Sequence, residues 1–384
     1  MSVDFDPSLA LPSELLERIR GRAAQVDHDN IFPEDDLADL AKAGYLRILL
    51  PTDRGGSGAL LAGASAAQQR LAGAAPATAL AVNMHLVWTA VARILHERGD
   101  DALDLVVEGA AGGEIFAFGV SEAGNDAVMF DSRTTAAPVG DGGYAFTGTK
   151  IFTSLAPVWT MLGVHGRDDS DPERPRIVFG FLRRDDSVVT RDDWDTLGMR
   201  GSQSRTTELH AAQAPADRIV RVIDMADIPD AMQFAIFAAF ELLVASVYTG
   251  IARRAIELAA EAVTARVSSA TGAPRSEDPV VRDRIGDMSI AYDGIALELR
   301  ALTRDVDEQV EHGASWFPLL SGMKDRATAT AQRIVDEALA LAGGGSFRAS
   351  SELARLARDV RAGVFHPTSP RATRQQAAGA WLDA

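Results

Sequence analysis

Between Asp230 and Arg253 the chain carries one charged side chain, Glu241, set in Phe234-Ala-Ile-Phe-Ala-Ala-Phe-Glu-Leu-Leu-Val-Ala-Ser-Val-Tyr248. A helix apolar on every side cannot lie on the surface of a water-soluble domain, so the fold must wrap other elements around it. The most apolar run, Ala235 to Val247, contains Glu241 and is too short to cross a bilayer, and no window reaches 18 uninterrupted apolar residues. A carboxylate in such a helix is costly to keep charged. Desolvation raises its pKa toward the range of a general base near neutral pH. Equally, Glu241 could face a solvated stripe or pair with a cation on another helix.

The texture around this helix changes in blocks. Residues 1–113 have helical spacing, with a capped start at Pro12-Ser13-Glu14 and a stripe at Leu37, Leu40 and Ala41. A further helical block runs from Ala59 to Arg98. Residues 114–225 read as strands. Phe116 to Val120 alternates, Thr134 to Val139 suits an edge strand, and Asp141-Gly142-Gly143 is a hairpin turn before Tyr144 to Gly148. Arg176–Leu182 and Glu208–Ala212 read as further strands. Residues 226–384 return to helices, expected over Ala226–Arg266, Val280–Val310 and Ser315–Ala342, with a last one from about Ser350. The α–β–α order gives three domains, a β module between two helical ones.

Composition removes several function classes. There is no cysteine, so disulfide scaffolds, iron–sulfur clusters and thiol nucleophiles are excluded. The net charge of −16 repels a phosphate backbone, so no nucleic-acid partner is expected. P-loop, G-x-G-x-x-G, G-x-S-x-G and H-E-x-x-H strings are absent, and the seven scattered histidines suggest no metal site. The acidic N-terminus lacks a signal-peptide pattern, and the expectation is a cytoplasmic protein with no membrane contact. A second polar candidate is His366 in Gly363-Val-Phe-His-Pro-Thr-Ser-Pro370, on a loop held by two prolines. It could serve as acid, base or donor, or simply bond a backbone carbonyl.

Five strings in register carry a resemblance. Phe32-Pro33-Glu34 through Gly55-Gly56, Gly119-Val-Ser-Glu-Ala-Gly-Asn-Asp126, Gly148-Thr-Lys-Ile-Phe-Thr-Ser154, Leu197-Gly-Met-Arg-Gly-Ser202, and Leu341-Ala-Gly-Gly-Gly-Ser-Phe347 with Leu356-Ala-Arg-Asp359 are similar to segments of the acyl-CoA dehydrogenase superfamily of flavoproteins. The resemblance implies an α+β multidomain fold: an N-terminal helical domain, a central β-barrel-like domain and a C-terminal four-helix bundle. It implies FAD, a homotetramer or homodimer, and an acyl-CoA oxidised at its Cα–Cβ bond. It places Val120 and Ser121 at the flavin pyrimidine edge. Phe152, Thr153 and Ser154 fall where an aromatic covers a ring face and a hydroxyl approaches N5. Arg266 falls at an arginine that reaches a neighbouring subunit's cofactor, and Gly344 and Gly345 where backbone amides approach the dinucleotide.

The family's usual Y-E-G-T carboxylate is missing, because the stretch after Asp359 reads Arg361-Ala-Gly-Val-Phe-His-Pro-Thr-Ser369. Some members place the base on an earlier helix, about ten residues before a glycine. Glu241 lies nine before Gly250 and is the candidate base, with His366 as a second catalytic candidate. The F-H-P tail also resembles the flavin-dependent monooxygenase branch, where an apolar pocket and a polar donor shield reduced flavin, FMN included, while it meets O2. His366, with Ser154, would be that donor, and a reductase the electron source. A non-catalytic paralogue, with Glu241 paired to a cation, is the third reading. His85, on an apolar helix, reads as a core histidine.

Overall fold

The computed structural model describes residues 5–125, 127–269 and 272–382; Asp126, in one of the motif strings, lies outside the described residues. Six helices come first: α1 Pro7–Ala10, α2 Ser13–Asp29, α3 Glu34–Lys42, α4 Leu61–Ala74, α5 Pro76–His96 and α6 Asp104–Ala111. The helical block expected over Ala59–Arg98 is two helices. Pro76 lacks an amide hydrogen and so ends α4 while opening α5.

Eight strands follow: β1 Phe116–Gly119, β2 Thr135–Val139, β3 Gly143–Thr153, β4 Met161–Asp168, β5 Arg176–Arg183, β6 Val188–Thr190, β7 Arg205–Ala214 and β8 Ile219–Asp224. They form one sheet in the order β6-β7-β3-β2-β4-β5-β8, with β1 parallel to β4. The path is open, so the barrel-like expectation resolves as a sheet whose end strands β6 and β8 do not pair. The hairpin forms where Asp141 and Gly142 both take positive φ, 64° and 82°, as a tight turn between right-twisted strands needs. Expected at an edge, β2 is instead interior. It pairs along its length with β3 and touches β4 through Thr135 and Arg167.

Helix α5 lies across this sheet. The Trp88 indole N–H donates to the Ala117 carbonyl at 3.0 Å. A Cβ on Gly163 of β4 would sit 2.4 Å from the same ring, so only glycine lets the helix settle there. His85, one turn earlier, is buried. Its Nε2 meets the Leu46 carbonyl at 2.8 Å and its Nδ1 accepts the Phe116 N–H at 3.2 Å. Burial pushes it down to about 4, so the neutral ring is a core strut joining helix to sheet.

The last part is helical: α7 Ala231–Thr264, α8 Pro279–Asp307, α9 Trp316–Ala342, α10 Glu352–Asp359 and α11 Pro370–Leu382. A capping box at Asp230 and Gln233 starts α7. Every residue from Ala235 to Ala252 is buried among α4, α5, α8 and α9. By length and composition α5 and α7 could each cross a membrane, but 94% of the most apolar 18-residue stretch of each is buried inside the fold, and that apolar surface is spent on the core. The final helix expected from Ser350 breaks after Asp359. Residues 360–369 cross between α10 and α11 as a strap.

Candidate active site

The strap, the sheet end and two buried helices enclose an apolar cavity of about 320 Å³. Leu80 and Met84 of α5, Phe118 of β1 and Phe240 of α7 form its apolar walls. Hydroxyls come from Ser121, Ser154, Thr196 and Ser204, and His366 closes it from the strap. Among the described residues that border it, none is a carboxylate.

The sheet end is held by buried charge. Glu122 Oε1 receives Lys150 Nζ at 2.7 Å, the Thr134 hydroxyl at 2.6 Å and the Thr134 N–H at 2.9 Å, and its Oε2 receives the Arg133 N–H at 2.8 Å. Lys150 also donates to the His165 carbonyl at 2.8 Å. Burial opposes the charge on Glu122, but Lys150 and these donors outweigh it and hold the carboxylate far below its usual range. Burial lowers Lys150 to about 8. The clasp fixes Ser121, whose carbonyl accepts the Ile151 N–H at 2.9 Å, against the end of β3.

Past Lys150 the register of β3 on β7 slips, and the backbone enters conformations that side chains resist. Phe152 has φ 57° and Leu155 φ 63°; across the cavity Met199 has φ 53° and Gln203 φ 44°. Each costs of order 1–2 kcal/mol, so the fold maintains the cavity rim against strain. The result is a bare aromatic wall. Phe152 stays 47% exposed, and Trp194 stands edge-on to it at 6.2 Å and 87°. Beneath them runs a hydroxyl chain, Ser154 to Ser204 at 2.7 Å and Ser204 to Ser202 at 2.8 Å. The loop bearing Met199 is pinned to α10. Its N–H donates to Asp359 at 2.6 Å, and a Cβ on Gly198 would lie 2.3 Å from the Arg358 carbonyl.

His366 Nε2 lies 2.8 Å from the Tyr248 hydroxyl. Burial, helped by the nearby Lys324 charge, lowers His366 to about 3, and burial holds Tyr248 well above its usual value. Both are neutral near pH 7. His366 Nδ1 has no protein partner among the described residues. Glu241 lies elsewhere, in an adjoining cavity of about 180 Å³ that shares Phe118, Phe240 and Pro367 with the first. Its Oε1 accepts the Thr368 N–H and hydroxyl, both at 2.9 Å; Oε2 is buried without a hydrogen bond, 3.8 Å from Lys324 Nζ. Burial raises Glu241 to about 7 despite that cation.

Of the residues singled out in the sequence, Ser121, Phe152, Ser154 and His366 come together on the main cavity. Val120 and Thr153 are buried behind it, and the Thr153 hydroxyl has no hydrogen-bond partner. Arg266, Gly344 and Gly345 gather where α7 and α9 end, with the guanidinium 3.8 Å from where a Cβ on Gly345 would sit; they border neither cavity. Sequence reading missed Trp194, Ser204, Phe240 and Tyr248. Trp194 and Ser204 flank the Leu197–Ser202 string, the one signal that pointed at them.

A flavin suits this donor set. Its ring system needs flat apolar walls, hydroxyl or amide donors at the N5 and carbonyl edge, and cations for a phosphate. Phe152, Trp194 and Phe118 supply the first, and Ser121, Ser154 and Ser204 the second. Arg358 and Arg361 border the cavity too, each already paired, with Asp27 and Asp336.

The family model described as acyl-CoA dehydrogenase, N-terminal domain, matches residues 14–103, and that for the C-terminal domain matches residues 242–369. The chain belongs to the acyl-CoA dehydrogenase superfamily. It is similar to YdbM of Bacillus subtilis (strain 168), provisionally named an acyl-CoA dehydrogenase, at 25% identity over 92% of this chain and 91% of that protein. It is as similar to a dibenzothiophene monooxygenase of Rhodococcus qingshengii, at 26% identity over 95% and 90%. Its fold matches KijD3 solved with FMN and a dTDP-linked amino keto sugar, at a TM-score of 0.84 and 26% identity over 98% and 93%. Within the superfamily, then, the chain is a flavin-dependent oxidoreductase-type enzyme, and the relatives divide between two chemistries.

Proposed function

We propose that this superfamily member is a flavin-dependent monooxygenase, taking reduced flavin from a separate reductase and inserting one atom of O2 into a small apolar or amino-bearing substrate. The observation that carries this is the main cavity itself: apolar, walled by aromatics, and bordered by no carboxylate among the described residues. A dehydrogenase needs a base beside the substrate α-carbon, whereas an oxygenase needs water kept out and a neutral donor kept in. The relatives that act as monooxygenases, and the one solved with FMN, support the same reading.

The bound flavin would supply two electrons, so that substrate and O2 give oxygenated substrate and water. The chain's own part is confinement and proton placement. Phe118, Phe240 and Leu80 exclude water. Tyr248 fixes the His366 ring through Nε2, so that the neutral ring is held at the cavity wall, and Ser154 is oriented by Ser204.

Acyl-CoA dehydrogenation with Glu241 as base is the second reading, favoured by its unpartnered Oε2 and its rise to about 7. Anaerobic titration of flavin-loaded protein with a panel of acyl-CoAs separates the two. The proposal expects no bleaching of the flavin band. It also expects chemically reduced protein to return to the oxidised spectrum in air more slowly than free flavin. Bleaching with a charge-transfer band would replace it with the dehydrogenase, and reoxidation at the free-flavin rate would remove the oxygenase.

A further inference from the structure

A second large cavity, about 500 Å³ and open to solvent on one side, lies on another flank of α7, bordered by α1, α2, α4 and α8. Its wall is unlike the surface of a chain with net charge −16: five arginines border it, Arg20, Arg70, Arg253, Arg254 and Arg300, against two carboxylates, Asp6 and Glu257. The carboxylates are committed. Glu257 pairs with Arg253 at 3.1 Å and with Arg254 at 3.3 Å, and Arg254 is further held by Glu352 at 2.9 Å. Asp6 accepts the N–H and hydroxyl of Ser8, both at 2.8 Å, and feels the charge of Arg70.

The other three guanidiniums are left with no carboxylate partner among the described residues. Arg20 reaches the Gly73 carbonyl at 3.4 Å and Arg70 the Leu11 carbonyl at 3.1 Å. The Nε atoms of both are buried with no hydrogen bond. Arg300 makes no side-chain hydrogen bond to the described protein. Orphaned buried donors are costly, and here the two from α2 and α4 share one cavity with the exposed, unpaired Arg300 of α8. That cavity is framed rigidly, because a Cβ on Gly250 would lie 2.4 Å from the Gln69 carbonyl, so α4 and α7 touch backbone to backbone beneath it.

We propose that this cavity is a binding site for a phosphate-bearing small molecule, separate from the candidate active site and independent of the oxygenase reading. Guanidinium forks converging from α2, α4 and α8 suit a tetrahedral, multiply charged oxyanion better than a single planar carboxylate. Ser13 adds a neutral hydroxyl, and the volume leaves room for an organic group beside Tyr292.

Calorimetric titration of flavin-loaded protein with inorganic pyrophosphate, at ionic strength fixed with potassium chloride, tests it. Saturable binding is expected, weakened at least tenfold by Arg300→Gln and by Arg70→Gln, and unchanged by Arg282→Gln, an exposed arginine outside the cavity. Arg300 is exposed, so its variant folds even where Arg70→Gln does not. No saturable binding, or binding that survives Arg300→Gln, overturns the site. Citrate binding as tightly as pyrophosphate overturns the phosphate assignment.

Discussion

Glu241→Gln gives a quantity that can be worked out in advance. The side chain is buried, and burial moves its pKa from 4.5 to about 7, so the folded chain holds a proton that the unfolded chain releases. A group raised in this way contributes stability that is fully present below about pH 4.5 and is lost as pH climbs through about 7. At about 1.4 kcal/mol per pH unit the loss totals about 3 kcal/mol. Glutamine keeps an acceptor for the two Thr368 donors but cannot titrate. Three histidines, the buried His85 and His165 and the half-buried His366, are pushed down and tilt stability the opposite way in the same range. They are common to both proteins and cancel in the difference. Lys324, which burial lowers, would be lowered further without the Glu241 charge, which adds to the effect with the same sign. Urea unfolding of both proteins from about pH 4.5 to pH 8 should therefore show the variant gaining about 3 kcal/mol on the wild type. A difference that stays flat within about 0.5 kcal/mol would refute a buried, proton-holding Glu241.

Other outcomes follow from the same structure. Lys150→Met strands the Glu122 carboxylate and should cost about 3–5 kcal/mol in chemical denaturation while weakening flavin binding measured by fluorescence quenching. Phe152→Gly should be more stable than Phe152→Ala by about 1 kcal/mol, because only glycine takes the left-handed backbone freely; differential scanning calorimetry resolves this. Gly198→Ala drives a methyl into the Arg358 carbonyl and should lose about 2 kcal/mol or more, seen as a lower Tm. For His366, lowered from 6.5 to about 3, stability is present above 6.5 and lost as pH falls, so His366→Asn should flatten the acid limb of the urea-stability profile.

Much of the fold was legible because periodicity is local. The segments read as Val280–Val310 and Ser315–Ala342 are helices over Pro279–Asp307 and Trp316–Ala342, each within a few residues. Strand β4 was invisible because nearly every residue is buried, leaving no alternation to read. The broken last helix was missed because the strap owes its path to tertiary contacts. Lys324 donates to the carbonyls of His366 and Thr368, and Tyr248 reaches His366 from α7. Ser121, Phe152, Ser154 and His366, which border the main cavity, are singled out from motif strings and local chemistry. The partition of Glu241 into a side cavity was beyond such reading, since it depends on where the rings of Phe118 and Phe240, stacked at 5.4 Å, happen to stand.

The immersion of α7 has a consequence for how a chain like this can change over generations. From Ala235 to Ala252 the helix offers no face to solvent, so a replacement there must match volume and polarity at once, while from Arg253 onward one side is open. New substrate preferences are therefore most easily acquired elsewhere on the cavity wall, in the 194–199 loop and the strap, where side chains can be exchanged without recutting the centre of the protein.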